Sequence, residues 1–486
     1  MRKIIVIFTF FVLASVTMQA QSLRAYMSYA TFTTPDNQPY IETYLTIQNS
    51  SIMQMPTDDG GYSGKLNVQI IFRRNDTIVN YGKYDLTGPI AEDTINNALT
   101  FLDVQRYALP EGTYDLELTL DDVNDKSDPI VSHTTFLIDF PHDSTSVSDI
   151  EFLKSYEKKE GTGVLEKNGY AVLPYVFNNF PQEEKELKFY AEIYHADKEA
   201  GDDAYMVYTY IRPFEVDTKL ENFFFMRRTK AEPINILLHT IDISKLATGN
   251  YLLVVEARNR KNELMASKEL FFFRSNPEVQ FNTTNIMIAD VSNTFVESID
   301  NRDSLLLYID YLYPISTSSE KMYVKSMIKT ADVQALQKYF YNFWQERNNT
   351  DPEIAWLNYL QRVKEANYNF KTVSVAGYRS DRGRVYLQYG KPNVIAESYN
   401  EPAAYPYVIW HYYQLNGQHD KKFVFYTQDI ATNDFQLLHS NVVGELANYH
   451  WQRNVYRRTW DTYSIDDMIV PNSYGSFATD YYIQPR

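Results

Sequence analysis

Residues able to do covalent or acid–base chemistry are sparse and widely spaced in this 486-residue chain. It has no cysteine, which removes disulfides, thiol nucleophiles and thiolate metal sites together. Its eight histidines are scattered, with no pair at ligand spacing. No His-Glu-x-x-His helix, nucleophile elbow or phosphate-binding glycine loop occurs. The residue types therefore point to no metal and no cofactor. Asp381, His439 and Ser440 form one composite set that geometry could bring together as a hydrolytic triad, since triads are defined by arrangement rather than order. The densest polar cluster is Gly377-Tyr378-Arg379-Ser380-Asp381-Arg382-Gly383-Arg384. Asp381-Arg-Gly383 reads as a tight turn, with Gly383 expected at positive φ. Val385, Leu387 and Tyr389 then alternate as one face of a strand, with Arg384, Tyr386 and Gln388 on the other, before Gly390-Lys-Pro392 ends it. Two uses follow. The bland one is a strand held between two shaped turns, in which Arg384→Ala would leave stability nearly unchanged. The functional one sets Tyr378, Asp381, Arg382 and Arg384 at the rim of a groove for a partner protein or a glycan. Trp410 and His411, inside a later strand, are further binding candidates whose ordinary role is packing.

The elements that must position these residues can be read around them. Thr330 is placed to cap a helix over Ala331–Arg347, with Val333, Leu336, Phe340 and Phe343 at helical spacing. Asp351-Pro352-Glu353 restarts the chain as N-cap, first helical residue and first-turn acid. That second helix runs to about Tyr368, with Trp356, Leu360, Val363 and Asn367 as its stripe. Strands follow at Tyr407–Tyr413, Lys422–Thr427 and Phe435–Leu438, and a last helix at Asn448–Thr459. The region from 277 to 460 is thus expected to be α+β.

Upstream the texture is β. Leu109-Pro-Glu-Gly112-Thr-Tyr114 and Leu246-Ala-Thr-Gly249-Asn-Tyr251 each open an alternating strand that returns through a polar hairpin. With strands at Tyr40–Ile47, Leu66–Phe72 and Thr77–Tyr84, and again at Tyr170–Val176, Leu187–Tyr194, Ala204–Phe214 and Ile234–Leu238, the pattern predicts a repeat. The expectation is two tandem immunoglobulin-like or fibronectin-like β-sandwiches, 21–140 and 146–275. Turn-rich Asp139–Ser148 and Arg274–Pro277 mark the breaks.

The segment Gly377-Tyr-Arg-Ser-Asp381 through Gly390-Lys-Pro-Asn393 resembles the GWxTD domain of exported proteins of Bacteroidota. Phe343-Trp344…Arg347, Tyr359…Arg362-Val363…Ala366-Asn367…Phe370, Ile409-Trp410…Tyr412, Phe423-Val-Phe425 and Leu438-His-Ser440 extend the resemblance in order. The resemblance implies an α+β domain of unknown function. Here Tyr378 and Ser380 stand where the family has Trp and Thr, and Asn348 and Asn393 where it usually has Asp. A general base or metal ligand at either amide position would be lost in this copy.

Arg2-Lys3, an apolar run from Ile4 to Val16 and a small-residue exit give residues 1–20 the form of a secretory signal, cleaved after Ala20 or Ser22. That run is shorter than the roughly 18–20 residues of a membrane span, and no cysteine is available for lipidation. Residues 461–486 read as a plain tail. The formal net charge of −16 argues against nucleic acid as a partner. The 41 tyrosines and 28 phenylalanines suit both half-buried strands and contact surfaces. The leading expectation is a non-catalytic, unlipidated envelope protein, periplasmic or associated with the outer membrane, that binds another envelope protein. The alternative is glycan binding or hydrolysis, with aromatic faces stacking on sugars and a carboxylate pair for any cleavage.

Overall fold

The computed structural model describes residues 23–456 and 477–485, apart from 76, 94–98, 160, 162, 201–203, 280–283, 416–417 and 449–450. The expected leader, and the expected tail up to 476, lie outside the described residues. Counting strands of five or more residues, the first part holds β1 (Ala25–Thr33), β2 (Pro39–Gln48), β3 (Lys65–Arg74), β4 (Thr77–Thr87), β5 (Thr100–Ala108), β6 (Gly112–Asp122) and β7 (Ile130–Ile138). They make one antiparallel sheet in the order β1-β2-β5 and another in the order β4-β3-β6-β7. Alternation along β3 puts Leu66, Val68, Ile70 and Phe72 inward against Ile41, Leu45 and Ile47 of β2, the period-2 burial of a β-sandwich.

The second part repeats the plan with β8 (Glu151–Lys158), β9 (Tyr170–Pro174), β10 (Glu186–Tyr194), β11 (Ala204–Pro213), β12 (Phe224–Lys230), β13 (Ile234–Asp242), β14 (Gly249–Arg258) and β15 (Leu264–Arg274). Its sheets run β13-β10-β8-β9 and β15-β14-β11-β12. Their facing sides share one core that includes Leu187, Phe189, Val207, Leu253 and Phe272.

The two Gly-x-Tyr turns are built alike. Tyr114 pairs with Phe136 across the β6–β7 hairpin, and Tyr251 with Phe272 across β14–β15. Each tyrosine hydroxyl reaches back four residues, to the carbonyls of Pro110 (2.7 Å) and Ala247 (3.0 Å). Each ring stacks on its phenylalanine at 5.6 Å. This is the tyrosine corner of such sandwiches, clamping the strand entry to the preceding loop. Gly112 has φ +145°, a conformation that excludes a side chain; Gly249 does not, so the repeat lies in the corner rather than in the glycine's backbone.

Counting helices of six or more residues, the last part opens with α1 (Arg302–Tyr311), α2 (Ser318–Met327), α3 (Val333–Arg347), α4 (Pro352–Phe370) and α5 (Asp381–Tyr389). An antiparallel sheet β16 (Val394–Ser398), β17 (Tyr407–Leu415), β18 (Gln418–Tyr426) and β19 (Gln436–Ser440) follows in sequence order. Then come α6 (Trp451–Tyr456) and α7 (Ala478–Ile483).

Four expectations are corrected here. Asp332, not Thr330, caps α3, its side chain accepting from Ala335 N. The helix expected over Asn448–Thr459 is described as Trp451–Tyr456, with Asn448 not helical and 457–459 outside the described residues. The part of the expected tail that is described is packed: Ala478 is buried, and Tyr482 lies against Trp451 and His439. The segment Val385–Tyr389 is helix, not strand. Residues two apart on a helix point about 200° apart, and α5 is buried on both sides. Val385 enters the core of the sheet while Leu387 enters that of the helices, so two-sided burial imitates a strand's alternation.

Among the described residues no helix is long and apolar enough to cross a membrane.

Candidate functional site

The Gly377–Arg384 cluster sits where α4, α5 and the sheet meet, and each of its side chains is engaged within the chain. Ser380 is the N-cap of α5: its hydroxyl accepts from Gly383 N (3.1 Å) and donates to Gly377 O (2.7 Å). Two glycines make this geometry possible. A Cβ on Gly377 would lie 2.1 Å from Ala366 O of α4, and one on Gly383 would lie 1.8 Å from Gly377 O. Gly383 is therefore required by close approach; its φ is not among the positive ones, contrary to the turn expected there. Asn367 Oδ1 accepts from Tyr378 N at 3.2 Å, and Arg362 donates to the Tyr386 and Leu387 carbonyls at the C-terminal end of α5.

The expected groove rim is not formed, because its four residues turn to three different places. Tyr378 is buried against Tyr311 and donates its hydroxyl to Asp310 of α1, which Arg379 also holds. Asp381 accepts from Leu437 N at 2.7 Å, tying α5 to β19. Arg382, 8% exposed, donates to Asn433 Oδ1 and lies over the Phe435 ring at 4.2 Å. Arg384 makes a two-pronged pair with Glu445 (2.7 and 2.8 Å), whose Oε1 also accepts from Tyr389 Oη at 2.8 Å. Tyr389 in turn packs with Phe214, beside Leu252, Val254 and Phe271 on the outer face of the β15-β14-β11-β12 sheet.

The later candidates are likewise internal. Trp410, 2% exposed, packs between Phe425 (5.0 Å) and Phe370 (5.5 Å). His411 Nε2 lies 2.7 Å from Asp420 Oδ1, and Lys422 Nζ lies 2.8 Å from Oδ2. Burial would raise the Asp420 carboxyl, but His411 and Lys422 outweigh it and hold it at about 2. Asp381, His439 and Ser440 are not joined in a relay. His439 accepts from Asn448 N through Nδ1 (3.0 Å) and meets Tyr482 Oη through Nε2 (3.0 Å), while Ser440 Oγ donates to Lys422 O. Burial lowers the His439 imidazole to about 4, a poor pKa for a base at neutral pH.

The two amide departures also have structural roles. Asn348 Oδ1 accepts from Asp351 N (3.0 Å), shaping the turn before α4. Asn393 Oδ1 accepts from Tyr413 N (2.8 Å) at the sheet edge. An amide oxygen serves these main-chain donors as a carboxylate would. Arg347 pairs doubly with Glu320 (2.9 Å each), which is in the capping box of α2.

Two ionic groups escape sequence reasoning because distant segments assemble them. One surrounds Lys321, which feels the charges of Glu215, Arg384, Glu320 and Glu445 where the helices meet the second sandwich. The other lies between the outer faces of β1-β2-β5 and β13-β10-β8-β9, which pack through Phe32, Tyr44, Leu153 and Tyr190. There Lys167 Nζ bridges Glu42 and Glu151 at 2.7 Å each, under the Phe32 ring, and Arg106 reaches Glu42 at 2.8 Å. Glu192 accepts from Asn168, Tyr190 and Tyr194. Burial pushes Glu151 and Glu192 up; it works on Glu42 too, but Lys167 and Arg106 hold that carboxyl down. Among the described residues no three His, Asp or Glu are grouped to hold a metal ion.

Residues 270–457 match the GWxTD domain, and no curated protein matches the chain. Among solved structures it is similar to fibronectin(III)-like modules of Clostridium thermocellum CbhA, at 11% identity and TM-score 0.14, over 50% of this chain and 89% of that one. It is also similar to a glycosyl hydrolase family 2 member from Bacteroides cellulosilyticus, at 9% identity and TM-score 0.21, over 47% of this chain but only 28% of that one.

Proposed function

We propose that the chain is an exported, non-catalytic cell-envelope protein that serves as a modular binding or scaffold component for another periplasmic or outer-membrane protein. In this reading 21–140 and 146–275 are consecutive immunoglobulin-like or fibronectin-like domains, and 277–460 is the GWxTD-type domain they carry. One observation supports it above the rest: Tyr378, Asp381, Arg382 and Arg384 are each bonded to other parts of the same chain, while Ser380 caps α5 within the cluster. A motif so engaged fastens elements together and offers few free groups to a substrate.

The secretory form of residues 1–20 supports export, and the absence of cysteine argues against a lipid anchor. Fractionation of the native host, intact-mass analysis and crosslinking test the proposal together. The expected result is an envelope-fraction protein starting at Gln21 or Leu23, without an acyl chain, crosslinked to a second envelope protein. A cytosolic protein that keeps residues 1–20 would contradict it.

A further inference from the structure

A cleft of about 620 Å³ opens in the GWxTD-matching region, between the chain at Ile288–Asp290 and one side of α3 with the turn after it. Its wall residues on α3 follow helical spacing, Tyr341 and Asn342, then Gln345 and Glu346 one turn later, with Asn349 from the turn after the helix. Such spacing sets them along one face. The opposite wall is fastened by Lys338, one turn before Asn342, whose Nζ donates to Met287 O at 2.9 Å. From the second sandwich Thr218 Oγ1 donates to Glu346 O at 3.1 Å. Asn342 forms the buried floor and donates to Glu346 Oε1 at 3.0 Å.

The lining is chemically selective. It contains three carboxamides (Asn342, Gln345, Asn349), two carboxylates (Asp290, Glu346), one phenol and no Lys or Arg. An anionic ligand would meet two carboxyl groups, and the nearest cation, Lys338, is tied to Met287 O beside Asp290. A cationic ligand would need acceptors only and would leave the amide N–H groups idle. Hydroxyl groups both donate and accept, and a carboxamide offers both functions in one plane. Tyr341 and the 75%-exposed Ile288 add apolar surface for the C–H face of a ring. The volume is that of an ordinary small-molecule site.

We propose that this cleft binds a short neutral oligosaccharide. The proposal is independent of the scaffold reading, since none of its residues belongs to the signature cluster. The test is calorimetric titration of the full chain with maltotriose, cellotriose, mannotriose, xylotriose and chitotriose, alongside the cationic dipeptide Lys-Lys. One of the sugars should bind. Gln345→Ala and Tyr341→Ala should each weaken it at least about tenfold with an unchanged Tm. Glu346→Gln should keep binding within about threefold, because an amide still serves hydroxyls. Binding of none of the sugars at millimolar concentration would overturn the proposal. So would sugar binding that both alanine variants leave intact, or binding of Lys-Lys in place of any sugar.

Discussion

Gly383 carries the sharpest residue-scale consequence. In an ordinary helix Gly→Ala stabilises by about 1 kcal/mol. Here the new methyl would lie 1.8 Å from a backbone carbonyl that cannot swing aside. Gly383→Ala should therefore destabilise by about 2 kcal/mol or more, as overpacking does, measured by chemical denaturation. His439 gives a pH-scale consequence. Its imidazole titrates at about 4 in the folded chain against an ordinary value near 6.5. Between those values the unfolded chain binds a proton that the folded chain refuses. The contribution is complete above pH 6.5 and is lost as pH falls towards 4, about 3 kcal/mol in all. His439→Gln should flatten the stability profile over that window; an unchanged slope would mean that other groups set it.

At the scale of elements, legibility followed locality. Helix α4 was readable because its cap, its first-turn proline and its stripe lie within one segment, and Asp351 does accept from Ile354 N. Helices α1 and α2 carry cap signals too, at Asn301 and in the Thr317–Glu320 box, but their short stripes are not assigned from sequence. Helix α5 was misread because its burial on opposite sides follows a period of two. The roles of Ser380 and Asp381 were hidden by the same error: as turn residues they lack the helix whose N-terminus they cap and the strand they tie to it. The tyrosine corners were legible as a spacing, whereas their hydroxyl bonds were not. Substituting Tyr251→Phe removes one hydrogen bond and keeps the ring, so it should cost about 1 kcal/mol. A loss near zero would mean that the corner at Ala247 is ornamental.

At the scale of the whole molecule, the joints are what a sequence conceals most. Lys167 and Glu42 are 125 positions apart, and no periodicity announces their meeting. Their pairing bears on how the parts move. A carboxylate at 1% exposure, as Glu42 is, would be uncovered if the β1-β2-β5 and β13-β10-β8-β9 sheets separated. Lys167→Met leaves Glu42 and Glu151 buried around a neutral side chain and should destabilise by on the order of 3–5 kcal/mol. Fragment 21–140 should be less stable alone than within 21–275, because its outer face holds Phe32, Tyr44 and Glu42 against the second sandwich. Equal unfolding midpoints for the two fragments would show that the seam does not couple them.

The central claim is that the signature cluster fastens the chain together and is not a binding surface. Arg384 tests it most directly, since sequence alone places it on a free face, whereas it is paired with Glu445 beside the contact of Tyr389 with Phe214. The measurement is the unfolding free energy of Arg384→Ala, with crosslinking to the proposed envelope partner followed in parallel. Removing the guanidinium strands a carboxylate that is 8% exposed. The account predicts a loss of about 3 kcal/mol or more, with partner capture falling only as far as folded protein falls. Unchanged stability with capture abolished would contradict it.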